Sequence, residues 1–198
     1  MAEFDRIDPA AFNHDERYKF LTATVVPRPI ALVTSTGASG VLNAAPFSQF
    51  IIIAASPALL GIVVGREPEG EKDTLRNIKE TGEYVINTVS ESMAEQVQLC
   101  AHPFPAHVSE VQEAGFTVVP ATTVNTMRIA EAVVQFECKV HRMIEFGDSP
   151  ATLVVGLVTL AHAAKGVVSD HRVDHAKLQP LGRISGRRYC FTRQTIEL

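Results

Sequence analysis

AVVQFECKVHRMIEF (residues 132–146) and ATLVVGLVTLAHAAKGVV (residues 151–168) are the stretches on which the fold turns. β-Branched residues crowd both, and Gly147-Asp148-Ser149-Pro150 separates them. They read as two long strands joined directly by a turn. Working toward the N-terminus, Glu83 to Val89 alternates as a strand, and Leu59 to Val64 and Phe47 to Ile53 are two more, split by the breaker Ser56-Pro57. Val41 to Ala45 runs extended, Thr36-Gly37-Ala38-Ser39-Gly40 is a turn, and Ile30 to Thr34 is a short strand after Pro27-Arg28-Pro29.

Only two helices are convincing. Asp73 or Thr74 can cap the first, which carries Leu75, Ile78 and Lys79 and stops at Gly82. Ser90-Glu91-Ser92 opens the second, with Met93, Val97 and Cys100 on one face, ending before Pro103. Residues 1–20 read as a leading segment with one amphipathic turn. Residues 102–128 read as mostly irregular, with one helical turn near Ser109 to Ala114. Residues 169–187 read as loop, and Arg188 to Thr192 as a last strand. Strands that follow strands argue against a doubly wound α/β sheet. They predict a mainly β fold with some α, a barrel or sandwich of largely antiparallel pairing, in a single domain over residues 1–198.

Composition narrows the function. Charged residues make up 20% of the chain and the formal net charge is −4, so no basic footprint for nucleic acid is present. The densest basic run, Arg183, Arg187, Arg188 and Arg193, reads as solvated. Three cysteines, Cys100, Cys138 and Cys190, lie at no metal-ligand spacing and point to a reducing, cytoplasmic compartment. The apolar stretches at 50–64 and 150–168 are interrupted and rich in Val and Thr, which reads as buried strands and no membrane span.

Four clusters could carry chemistry, each with a plain structural alternative. Thr34-Ser35-Thr36-Gly37-Ala38-Ser39-Gly40 offers hydroxyls and amides to an anion, but lacks the Lys of a phosphate loop and the helix of a dinucleotide fingerprint; alone, it is a hairpin turn. Asn43-Ala44-Ala45-Pro46-Phe47-Ser48 allows close approach of a flat ligand, or is an irregular strand edge. Lys72-Asp73-Thr74 at a helix start could hold a phosphate, or be a capped surface helix. His171 and His175, with Asp170 and Asp174, have an i, i+4 spacing that a metal could use, but no third ligand follows; they read as a solvated loop, and no metal is expected. His102 and His107 flank a Pro-Phe-Pro surface loop.

Together these motifs, in order, resemble the flavin reductase-like FMN-binding family, which includes flavoredoxin. The resemblance runs from Pro27-Arg28-Pro29-Ile30-Ala31-Leu32-Val33-Thr34 through Gly40, Asn43 to Ser48, Ser56-Pro57, Lys72-Asp73-Thr74, Asn77-Ile78 and Tyr84-Val85-Ile86-Asn87. It continues through Glu137-Cys138, Gly156-Leu157-Val158, His162, Arg172-Val173-Asp174, Pro180-Leu181-Gly182-Arg183 and Tyr189, covering roughly residues 18–192. Leu32 departs from the aromatic residue common in relatives. The acidic run Arg66-Glu67-Pro68-Glu69-Gly70-Glu71 also weakens the field at Lys72.

The resemblance implies a Greek-key split β-barrel with flanking helices, a homodimer, and FMN near the dimer interface. It places Thr34, Ser35, Thr36, Lys72 and Thr74 on the phosphate or ribityl chain. Asn43, Ala44, Ala45, Pro46, Phe47 and Ser48 would line the isoalloxazine, with Arg28 and Arg183 near the cofactor or second substrate. It implies an NAD(P)H-dependent flavin reductase, with NADH or NADPH as co-substrate and a monooxygenase or other protein as electron acceptor. A non-enzymatic FMN carrier of flavoredoxin type is the alternative, and a split barrel that has lost flavin is a third. Hydride transfer needs no acid–base side chain, so no catalytic residue is expected. His162 is either a nicotinamide contact or a satisfied strand histidine.

Overall fold

The computed structural model describes residues 3–65, 70–147 and 149–197. Its strands are β1 (Ala31–Thr36), β2 (Leu42–Phe47), β3 (Phe50–Ala54), β4 (Leu59–Val64), β5 (Glu83–Thr88), β6 (Val118–Pro120), β7 (Met127–Ile129), β8 (Val134–Glu145), β9 (Thr152–Ala163), β10 (Val168–Ser169), β11 (Arg172–Val173), β12 (Leu181–Arg183) and β13 (Tyr189–Phe191). Its α-helices are α1 (His14–Thr24), α2 (Asp73–Thr81), α3 (Ala94–Leu99), α4 (Glu110–Glu113) and α5 (His175–Leu178).

Seven strands form one antiparallel sheet in the order β2-β1-β5-β8-β9-β4-β3. β2 and β3 are its opposite edges, yet only Ser48 and Gln49 lie between them. In a flat sheet those edges would stand about 29 Å apart, and a two-residue link spans at most about 11 Å. The sheet is therefore rolled on itself, with edges that meet through the chain and are not zipped by a ladder. This is the expected split barrel. The link also explains why Phe47 to Ile53 is not one strand: the chain leaves one edge at Phe47 and joins the other at Phe50.

Alternation along β1 divides the core. Ala31 and Val33 point into the barrel with Ile62, Val64, Leu75, Ile78, Tyr84, Ile86, Cys138 and Val154. Ile30 and Leu32 point outward, under a second layer built from Met93, Val97, Cys100, Val111, Phe116, Ile129 and Leu181. α2 is amphipathic, buries Leu75 and Ile78, and ends on Gly82, whose φ of 71° suits glycine.

Several local expectations are corrected. Residues 14–24 form a full helix and not one turn. Asn13 and Glu16 close a capping box at its start, but it buries no side chain, so there was no apolar period to read. Lys72, and neither Asp73 nor Thr74, is the cap residue of α2, and its side chain makes no capping bond. Asp73 is drawn instead into an ion pair with Arg76 at 2.5 Å, and the Thr74 hydroxyl donates to Asn43 Oδ1 at 3.1 Å. The 102–128 segment holds the hairpin β6–β7, and residues 169–187 hold β11, α5 and β12. Residues 66–69 and Asp148 lie outside the described residues. Among the described residues no helix is long and apolar enough to cross a membrane.

Candidate functional site

The β1–β2 register sets Thr34 beside Ala44, Ser35 beside Asn43 and Thr36 beside Leu42. The Thr74–Asn43 bond brings the start of α2 against the same strand. At the far end of β2, Arg28 Nε donates to Ser48 Oγ at 3.3 Å, and Arg28 pairs through its backbone with Arg183. All thirteen residues singled out from the sequence thus share one continuous zone, although they span positions 28 to 183.

Their roles within it differ. Thr34 is fully buried; its hydroxyl donates to Met127 O at 2.6 Å and accepts from Asn87 Nδ2 at 3.1 Å. Ser35 is also buried and accepts from Asn77 Nδ2 at 3.3 Å. Asn43 is held at both ends, with Oδ1 accepting from Thr74 and Nδ2 donating to Glu110 Oε2 at 3.2 Å. Ala44 and Phe47 are buried in the two core layers. These side chains build the wall. Thr36, Ala45, Pro46, Ser48, Lys72 and Arg183 remain partly exposed along it. Thr36 Oγ1 lies 3.0 Å from Thr126 Oγ1, which ties the end of β1 to the loop before β7.

Sequence reasoning did not reach Glu110, which lies 67 positions from Asn43. Its Oε2 accepts from Asn43 Nδ2 and from the Ala44 amide at 3.1 Å, fixing β2 from behind. Burial pushes the Glu110 carboxyl above the usual range. Hydrogen bonds from its own backbone and from Ala44 oppose that push, and Asp73 adds to it. No local pattern marks such a residue, because α4 meets β2 only in the folded chain.

Glu137 is the opposite case. Its carboxylate is fully buried and accepts from the Thr122 amide at 2.8 Å, the Thr123 amide at 2.5 Å, Thr123 Oγ1 at 2.6 Å and His162 Nε2 at 2.6 Å. Burial alone would raise it, but these donors win and hold it at about 2. His162 is therefore a partnered strand histidine whose ring is one-quarter exposed. Asp174 caps α5 through the amides of Ala176 and Lys177, and His175 begins that helix. Among the described residues no cluster of metal-ligating side chains forms.

A family model described as "Flavin reductase like domain" matches residues 23–181. The chain belongs to the flavin reductase-like family. An uncharacterized protein of Halalkalibacterium halodurans is 38% identical to this family member, over 98% of this chain and 95% of its own. The solved structure of nitrilotriacetate monooxygenase component B from Bacillus cereus superposes with a TM-score of 0.95 at 33% identity, covering all of both chains. The 2-nitrobenzoate 2-nitroreductase NbaA of Pseudomonas fluorescens does so at 0.89 and 35% identity, over 98% of this chain and 95% of its own. The fold of this family member, a split barrel with flanking helices, is shared with both solved structures.

Proposed function

We propose that this protein is an FMN-dependent flavin reductase that takes hydride from NADH or NADPH and supplies reduced flavin to a partner monooxygenase or another acceptor. The observation that carries the reading is the partial exposure of Thr36, Ala45, Pro46, Ser48 and Lys72 along β1, the edge strand β2 and the start of α2, beside buried polar side chains that are internally satisfied. The residues fit the cofactor. Ala45 and Pro46 are small residues on the edge strand β2, so a ring system can approach its backbone closely, and α2 opens with no side-chain cap, so its first amides are open to an anion beside Lys72. When bound, FMN supplies the hydride and electron chemistry. The chain's part is to bind it, orient it and hold β2 in place through Glu110.

A homodimer in the cytoplasm belongs to this reading. β3 is an edge strand with Ile51, Ile52 and Ile53 all exposed, and Tyr18, Leu21, Val25 and Val26 are exposed on the N-terminal segment. An apolar edge of that kind needs cover, and a two-fold partner is the commonest one. The 33% identity to a monooxygenase component supports a partner oxygenase. The 35% identity to a nitroreductase supports a second reading, in which a nitroaromatic compound is the final acceptor.

The test is anaerobic stopped-flow mixing of flavin-loaded protein with NADH and NADPH in turn. Loss of oxidised-flavin absorbance within the dead time to seconds is expected with at least one donor; no bleaching with either refutes the reductase reading and leaves an FMN carrier. In fluorescence titrations FMN should bind more tightly than FAD, since no dinucleotide fold is present. Lys72→Ala should weaken FMN about tenfold and leave riboflavin unchanged, as expected for one charge-assisted contact.

A further inference from the structure

β2 is an edge strand, and an edge leaves one row of backbone groups without a ladder partner. In antiparallel pairing those outward groups belong to alternate residues. On β2 the row runs through Leu42, Ala44 and Pro46, and Pro46 has no N–H to give. Ser109 and Glu110, at the start of α4, close the row from outside. Ser109 Oγ donates to Leu42 O at 2.5 Å, and Ala44 N donates to Glu110 Oε2 at 3.1 Å. The same Oε2 accepts from Asn43 Nδ2 at 3.2 Å, and Asn43 Oδ1 accepts from Thr74 Oγ1 at 3.1 Å. One carboxylate oxygen thus begins a relay, Glu110 to Asn43 to Thr74, that ties the edge strand to the first turn of α2.

Covering an edge does not require an ionisable group, and Ser109 does it with a hydroxyl. Glu110 is 8% exposed, and that burial raises its carboxyl against the hydrogen bonds from its own backbone and from Ala44, with Asp73 adding to the rise. A buried carboxyl is a costly way to hold two N–H groups. What it gives in return is strength and direction. Charge-assisted bonds are stronger than neutral ones. An ionised carboxylate only accepts, so it sets the Asn43 amide with Nδ2 toward α4 and Oδ1 toward α2. Costs of this kind concentrate at functional sites. The hydrogen bonds of Oε2 go to Asn43 and Ala44, where the strand turns from buried residues to the partly exposed Ala45 and Pro46.

We propose that Glu110 is a positioning residue for the flavin ring: by holding Asn43 and Ala44 it fixes the stretch of β2 backbone on which the ring rests. This role rests on the flavin reductase reading of that strand. It acts on the ring and not on the phosphate, which the reading assigns to the start of α2.

The experiment titrates the full chain, stripped of flavin, with FMN and with riboflavin, and follows flavin fluorescence. Glu110→Ala should weaken both flavins about tenfold or more and by the same factor. Glu110→Gln, which keeps an acceptor for both donors, should recover most of that loss. Ser109→Ala is the control, because it removes the neighbouring bond at Leu42 and leaves Asn43 and Ala44 held; its flavin affinities should stay within about twofold of wild type. At saturating FMN the visible absorption bands of the bound flavin should shift in Glu110→Ala and match wild type in Ser109→Ala, a signature that lost stability alone does not move. Unchanged affinity for both flavins in Glu110→Ala overturns the proposal. An equal loss in Ser109→Ala also overturns it, since the edge as a whole would then be responsible. So does a loss for FMN alone, which would put the effect on the phosphate. Thermal melting checks that each variant is folded. Where the alanine variant is not, Glu110→Asp decides: it keeps the charge but falls one methylene short, and a folded aspartate variant that binds both flavins like wild type refutes the role. A wild-type protein that binds neither flavin fails differently, because it removes the reductase reading itself and the positioning role with it.

Discussion

Tyr84 and Gly156 make the sharpest test of how the barrel is packed. The Tyr84 side chain is fully buried in the barrel, and its hydroxyl has no hydrogen-bond partner among the described residues. Tyr84 sits opposite Cys138, and its ring reaches past β8 to β9, where Gly156 leaves room. A Cβ on Gly156 would overlap Tyr84 Oη, stand 2.8 Å from Cζ and 3.1 Å from Cys138 Cβ. Gly156→Ala is therefore an overpacking change, expected to cost about 2–3 kcal/mol. Tyr84→Phe removes a desolvated, unpaired hydroxyl, whose burial costs about 1–3 kcal/mol. That variant should be neutral or up to about 1 kcal/mol more stable, a gain of about 2–4 °C in melting temperature for a chain of this size. In the double variant the worst overlap is gone while the approach of the new Cβ to the ring carbon remains. The alanine should then cost about 1 kcal/mol less than in wild type, a coupling characteristic of side chains in contact. Urea denaturation of the four proteins closes the cycle. A coupling below about 0.3 kcal/mol would show that the two positions do not meet. A loss of more than about 1 kcal/mol in Tyr84→Phe alone would show that the hydroxyl has a partner, such as an ordered water.

Glu137 carries a second prediction, because its folded-state value of about 2 lies below the ordinary 4.5. Its contribution is fully present above the ordinary value and is lost as the pH falls through the folded one, so Glu137→Gln should cost about 3 kcal/mol at neutral pH and progressively less between pH 4.5 and 2. Urea titrations of both proteins across that window check this; a difference independent of pH would mean that the charge of Glu137 does not matter. At the edge of the sheet, Ile52 is 74% exposed. Ile52→Lys should leave unfolding of the protomer nearly unchanged and shift sedimentation toward a monomer, while a dimer that survives the charge would place the interface elsewhere.

Strand content was legible because its signals are local. The limits of β4 were read to the residue, and β8 and β9 were recognised from β-branched density and the turn between them. The glycine that ends α2 was equally plain. α1 was not legible, since a helix that buries no side chain leaves no apolar period. Motif order, taken together, identified the family and marked the zone around β1, β2 and the start of α2. Within that zone the sequence could not tell a partly exposed hydroxyl from a buried, partnered one. Thr34 and Thr36 differ by two positions on the same strand, and only packing against Met127 and Asn87 buries the first while the second stays partly open. Long-range partnerships were equally hidden: Glu110 behind Asn43, Glu137 beneath His162, Arg28 beside Arg183. Residue type and spacing carry what a segment of chain prefers, so they determined strands, turns and family. Which polar groups are spent on one another, and which stay open to solvent, depends on contacts between segments far apart in sequence, and those exist only once the sheet has rolled and its edges have met.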